Sequence, residues 1–179
     1  MKALPSASLF ASVLGADFAA LDPCLRQVHG GQPRRMRGSV SVERGTSLVA
    51  RALGALASLP LAVTDAPIEV RIEVTDGVER WIRVFPNGRR MASILHSNGD
   101  LLVERLGPTA LEFRLRVSGG GIRWMLEHIS AFGIPLPLRW FRISATIDSR
   151  NGRYHFFVDS ELRGVGRIVR YEGVLDAEA

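Results

Sequence analysis

The pattern of hydrophobic and polar positions changes period about a third of the way along this chain. Before Pro60 apolar residues recur at helical spacing; from Pro67 onward they recur at every second position. Ser6 or Ser8 can cap a helix through Leu9 to Leu14, and Asp17-Phe18-Ala19-Ala20-Leu21 continues in helical style. Asp22 followed by Pro23 offers an N-cap and a first-turn proline to a helix over Cys24 to Val28, which Gly30-Gly31 ends. Arg37 to Glu43 sets Gly38, Val40 and Val42 against Arg37, Ser39, Ser41 and Glu43, which predicts a first strand. Thr46 or Ser47 then caps a helix whose stripe of Leu48, Val49, Leu53, Leu56 and Leu59, widened by Ala52, Ala55 and Ala57, runs to Pro60.

The second part reads as strands joined by short turns. Ile68, Val70, Ile72 and Val74 alternate with Glu69, Arg71, Glu73 and Thr75 before the turn Thr75-Asp76-Gly77. Val78 to Phe85 leads to Pro86-Asn87-Gly88, Arg89 to His96 to Ser97-Asn98-Gly99-Asp100, and Leu101 to Leu106 to Gly107-Pro108. Leu111 to Val117, Ile122 to Ile129, Trp140 to Asp148, Tyr154 to Leu162 and Arg167 to Leu175 complete the series. Short turns exclude parallel crossovers. The break is Phe132 to Leu138, an apolar connection with two prolines. The expected fold is mainly β (α+β): a strongly curved antiparallel sheet or barrel of about nine strands, with N-terminal helices packed over one opening. One domain is expected over 1–179, helical with one strand in 1–60 and stranded in 67–175.

Charge adds little to this picture. Of 23 basic residues only Lys2 is lysine, and the net charge is +5. The arginines are scattered, dense only at Arg34-Arg35-Met36-Arg37 and Arg89-Arg90, without the interleaved aromatics of a nucleic-acid surface. Cys24 stands alone, which excludes an intrachain disulfide and a multi-cysteine zinc site. Lys2 with the run Leu9 to Leu14 imitates a secretory signal, but Ser12 breaks the run and helix-like sequence follows it. No transmembrane helix and a cytoplasmic location are the expectations.

Several segments together resemble a known family. They are Phe10-Ala11-Ser12-Val13-Leu14-Gly15-Ala16-Asp17-Phe18, Arg37-Gly38 with Val42-Glu43-Arg44-Gly45, and Arg80-Trp81-Ile82-Arg83-Val84-Phe85. Val103 to Pro108, Gly133 to Pro137, Gly152-Arg153-Tyr154-His155-Phe156 and Arg170-Tyr171-Glu172-Gly173 extend the likeness from about Leu9 to Leu175. The chain resembles the bacterial DUF4166 family, whose function is unknown. That domain also occurs fused behind nucleotide-binding oxidoreductase-like domains, so the resemblance implies an accessory or ligand-handling role.

Signatures of catalysis are absent from the sequence: no phosphate-binding loop, no His-Glu-x-x-His helix and no Gly-x-Ser-x-Gly elbow. His29, His96, His128 and His155 lie on four different elements, so neither a metal site nor a cofactor is expected. Chemistry at Arg83, His128 or Tyr154 has no supporting spacing, which points away from an enzyme. The informative group is Trp81, Arg83 and Phe85, which a period of two places on one strand face opposite Ile82 and Val84. Either that face lines a concavity, or Arg83 and Arg142 pair across strands with Glu104, Glu127 or Asp148 on an outer face. Trp124, Trp140, Arg142 and Tyr154 complete the ligand-binding candidates. Phe132, Ile134 and Leu136 are a candidate lid or docking loop. The expected function is non-enzymatic binding of a small apolar or amphipathic molecule; the alternative is an interaction module for a separate oxidoreductase.

Overall fold

A computed structural model describes residues 8–56, 59–86 and 88–177. Lys2, Ser6, Ala57 and Asn87, named above in the sequence reading, lie outside them. Helix α1 (Leu9–Leu14) passes into a 3-10 helix (Gly15–Ala20), and α2 (Pro23–Val28) follows. Strand β1 (Arg34–Arg44) precedes α3 (Leu48–Leu56). Next come β2 (Val63–Thr75), β3 (Val78–Val84), β4 (Arg90–Asn98), β5 (Leu101–Leu106), β6 (Thr109–Ser118) and β7 (Gly121–Ala131). The two-residue β8 (Ile134–Pro135), a 3-10 turn (Leu138–Trp140), β9 (Phe141–Arg150), β10 (Arg153–Leu162) and β11 (Gly166–Ala177) complete the chain.

Ten of these strands form a closed antiparallel barrel in the order β6-β5-β4-β3-β2-β1-β11-β10-β9-β7, with β7 pairing back onto β6. The ring joins the nine strands read after Pro67 to the first strand read over Arg37 to Glu43, which is β1 and fills the place between β2 and β11. β8 stays outside the ring, folded back onto Ser130 and Ala131. Each barrel strand turns one set of alternate residues inward. Met36, Val40, Ile68, Val70, Leu95 and Phe113 belong to that set and are buried. Two hairpins use a left-handed pair of the kind that matches strand twist, Asp76-Gly77 at φ 50° and 76° and Asn151-Gly152 at φ 54° and 74°.

The helices divide between the two ends, because β1 runs the length of the barrel between α2 and α3. α1, its 3-10 extension and α2 close the end where β2, β4, β6, β9 and β11 finish. Ser8 caps α1 through its hydroxyl, which accepts from Ala11 N–H at 3.0 Å. Asp22 occupies the N-cap place of α2 but its side chain makes no capping bond; its backbone N–H instead donates to Gly120 O at 2.9 Å, tying the plug to the β6–β7 turn. α3, which the sequence reading grouped with the helices over one opening, lies at the opposite end against β11. Ser47 caps it. Arg44 then holds the segment beyond α3 by donating from Nη1 to Leu59 O at 3.1 Å and Pro60 O at 2.8 Å. Gly54 leaves the space that the Arg44 guanidinium occupies.

The backbones of β1 and β11 approach closely where Gly38 sits opposite Leu175. A Cβ on Gly38 would collide with the Val174 carbonyl, a backbone atom that cannot swing away. Gly38→Ala is therefore expected to separate this pair of strands and to destabilise the fold by about 3 kcal/mol or more. Urea unfolding followed by circular dichroism checks this; a loss below about 1 kcal/mol would mean the ring does not depend on this contact.

Candidate functional site

Inside the ring is a cavity of about 380 Å³. Its wall is apolar over most of its area, built from Val40, Val70, Phe113, Ile143 and Val158 on strands all round the barrel. At the outer end it is bounded by Leu53 and Leu59 on the α3 side and by Leu136 and Trp140 from the connection between β7 and β9. Trp140 both lines the cavity and is 45% exposed, so the cavity reaches the surface there.

Strand β3 supplies the polar feature of this interior. Trp81, Arg83 and Phe85 all face inward, which settles the alternative left open by the sequence: the strand face lines a concavity. Trp81 and Phe85 are buried. Arg83 pairs with Glu104 of β5 at 3.5 Å, the two side chains being only 14% and 13% exposed. It also donates to Ser93 Oγ of β4 at 3.0 Å and stands 5.5 Å from the centre of the Trp81 ring. Arg83 and Glu104 are thus partners, as one reading of the sequence allowed, but inside the barrel.

Trp124 lines the same cavity, edge-on to Phe113 at 5.3 Å, and its indole nitrogen is buried without a hydrogen-bond partner among the described residues. Tyr154 is buried at the inner end, where burial pushes its hydroxyl well above the usual phenol range. Arg142 departs from the expected group. The inward phase of β9 is set by Phe141 and Ile143, so Arg142 points out, 87% exposed, with Glu161 at 3.9 Å. Phe132, Ile134 and Leu136 also part company: Leu136 reaches the cavity while Phe132 and Ile134 face solvent.

Three residues in or next to the site carried no role in the sequence reading. Tyr171 lines the cavity and feels Arg83 and Glu104; burial is the main cause that raises its hydroxyl to about 12. Glu79 and His29 are not part of the cavity lining and lie buried behind it, against Trp81 and Tyr154. Glu79 accepts from Trp81 Nε1 at 2.8 Å, and its position two residues before Trp81 on an alternating strand is the signal that it faces inward. His29 follows α2 and is fully buried, its ring 3.9 Å from Phe10 and 5.7 Å from both Trp81 and Tyr154. No group of three or more histidine, cysteine or carboxylate side chains suited to a metal occurs among the described residues. Cys24 is half-buried, and burial raises its thiol above the ordinary range, away from nucleophilic reactivity.

These two buried groups act on stability in opposite directions. Burial pushes Glu79 up from 4.5 to about 7, and burial lowers His29 from 6.5 to about 3. The stability that Glu79 contributes is complete below about 4.5 and is lost as pH rises through about 7, because only the folded chain keeps that proton. His29 is the reverse: its contribution is complete above 6.5 and is lost as pH falls towards about 3. Their slopes oppose each other between 4.5 and 6.5. Glu79→Gln keeps an acceptor for Trp81 and removes one slope. In melts across this range the variant is expected to lose stability steadily on acidification below about 6.5, and to exceed the wild type by about 2 kcal/mol above pH ~7. Parallel profiles for the two proteins would show that Glu79 is already ionised in the fold.

Comparison with known proteins adds a family and no reaction. Among curated proteins none matches the chain. It is similar to a solved structure described as "Crystal Structure of Rv2717c from M. tuberculosis", with 10% identity over 89% of this chain and 99% of that one, at a TM-score of 0.47. The sequence profile described as "Domain of unknown function (DUF4166)" matches residues 21–175, a span that holds α2 and nearly all of the barrel. This chain therefore belongs to the DUF4166 family of domains of unknown function.

Proposed function

We propose that this domain binds a small apolar or amphipathic molecule within the barrel and performs no chemistry on it. The observation that carries the reading is the cavity itself: about 380 Å³, apolar over most of its wall, reaching the surface at Trp140. Small barrels ordinarily fill their interiors with side chains, and a pocket of this size and polarity suits a small organic ligand. Burying an apolar chain or ring system there removes its surface from water at roughly 25 cal/mol per Å².

Arg83 and Glu104 supply orientation. They are the charged members of the cavity lining, and they stand together on one side of it. A carboxylate or hydroxyl on the ligand would be drawn to that side, while an apolar body fills the remainder.

Titration of the purified chain with dodecanoate and with anilinonaphthalene sulfonate, followed by Trp fluorescence, tests the reading. Binding below about 1 mM is expected for both probes, and failure of both refutes it. Arg83→Met tests the orienting role. Because it leaves the Glu104 carboxylate without its partner, the apo protein should lose about 1–3 kcal/mol, most of which Arg83→Met combined with Glu104→Gln restores. Both variants should bind dodecanoate about 2 kcal/mol more weakly than the wild type. Unchanged dodecanoate affinity would remove Arg83 from the site.

A further inference from the structure

The large hydrophobic side chains that remain exposed are not spread evenly over the molecule. Ten are exposed among the described residues, and three of these, Val78, Ile94 and Met125, stand at separate places on the barrel strands. The other seven surround the open end of the cavity. Leu48, Val49 and Leu61 come from α3 and the segment after it; Phe132, Ile134, Leu138 and Trp140 come from the connection between β7 and β9. Phe132 is 71% exposed and Ile134 65%.

Phe132 also holds a costly backbone. It sits in the turn before β8 at φ 53°, followed by Gly133 at φ 77°. Asn, Asp or Gly adopts this left-handed conformation cheaply, whereas a phenylalanine pays for it and gains no burial in return. A strained, exposed aromatic residue at the tip of a turn needs a surface to enter.

The charge at this end indicates which surface. Arg51 lies on α3, Arg90 opens β4, Arg105 ends β5, Arg139 lies between Leu138 and Trp140, and Arg163 N–H donates to Trp140 O at 2.7 Å. All five side chains are exposed, and none has an ion pair among the described residues. The acidic residues of the same end are Glu43, Asp65, Glu104, Glu112, Asp159 and Glu161. Glu104 holds Arg83 inside the barrel, and Asp65 and Glu112 are without an ion pair among the described residues, so the exposed arginines outnumber the free carboxylates five to two. Glu43 and Asp159 hold Arg167, and Glu161 faces Arg142.

We infer that the rim of the barrel mouth docks onto an anionic lipid surface, with Phe132, Ile134 and Trp140 entering the interfacial layer and the rim arginines facing lipid phosphates. Aromatic side chains favour that layer, and basic side chains beside it add attraction to anionic headgroups. The inference rests on the ligand-binding reading for its purpose: a molecule leaving the lipid would enter the cavity past Trp140 without crossing water.

The test is flotation of the unliganded full chain with phosphatidylcholine vesicles, with and without phosphatidylglycerol, at low and high salt. The expected result is binding that requires phosphatidylglycerol, is released by high salt, and falls more than tenfold in Phe132→Asp. Phe132→Gly, which relieves the turn and keeps the fold, should also lose most of the binding. Each of Arg139→Glu and Arg163→Glu should weaken it about fivefold or more, while Val78→Asp on the barrel should leave it unchanged. Equal binding to both vesicle types, no binding to either, or an equal effect of Val78→Asp would overturn the inference and leave the rim to a protein partner. Dye titration in the absence of lipid reads the cavity separately, so failure of docking and failure of ligand binding are told apart.

Discussion

Ring closure is the constraint on which the rest of this structure depends. Once β7 pairs with β6 on one side and β9 on the other, no barrel strand has a free edge, and inside and outside are fixed for every residue. The inward residues then share one finite volume. Some, such as Leu95, pack into the core, and others, such as Phe113 and Trp124, line the cavity that the packing leaves. The same closure forces Arg83 inward with its strand, since its neighbours Trp81 and Phe85 carry the apolar surface that must be buried.

An inward arginine is expensive unless it is paired, and the barrel solves this by placing it one strand away from β5. β4 lies between β3 and β5, and its inward residue at this level is the small Ser93, whose hydroxyl both clears the path and accepts a hydrogen bond from Arg83. Three strands thus contribute one residue each to a polar spot in an otherwise apolar wall. Tyr171, from the far side of β1, lies within the field of the same pair.

Much of this architecture was legible in the chain, for a physical reason. A barrel strand has one buried and one solvated face, so alternation marks it wherever both faces are populated, as from Ile68 to Thr75. Pairings between distant strands leave no such local trace: nothing near Gly38 states that it will meet Leu175. The side chosen by α3 was hidden for the same reason, because helix periodicity records an apolar face and not the end of the barrel that receives it. Arg142 was misplaced because the prolines and the 3-10 turn at Leu138–Trp140 reset the inward phase just before β9. The family likeness read from Trp81 to Phe85 and from Arg170 to Gly173 agrees with the profile match over residues 21–175.

The pairing of β1 with β11 has a consequence for how the chain reaches this state. Met36 meets Ala177 and Arg44 meets Val169, so the seam joins residues more than a hundred positions apart. Contacts of such separation form late, because the entropy of closing the loop must be overcome before they return any stabilisation. During synthesis β1 leaves the ribosome before every other barrel strand, while β11, which covers its edge, follows all of them. Until then β1 offers unpaired backbone groups beside an apolar face, the condition that invites association between chains. Gly38, with no side chain to pack, weakens that edge as a template. The same glycine that permits the closed ring therefore protects the open one while it waits for β11.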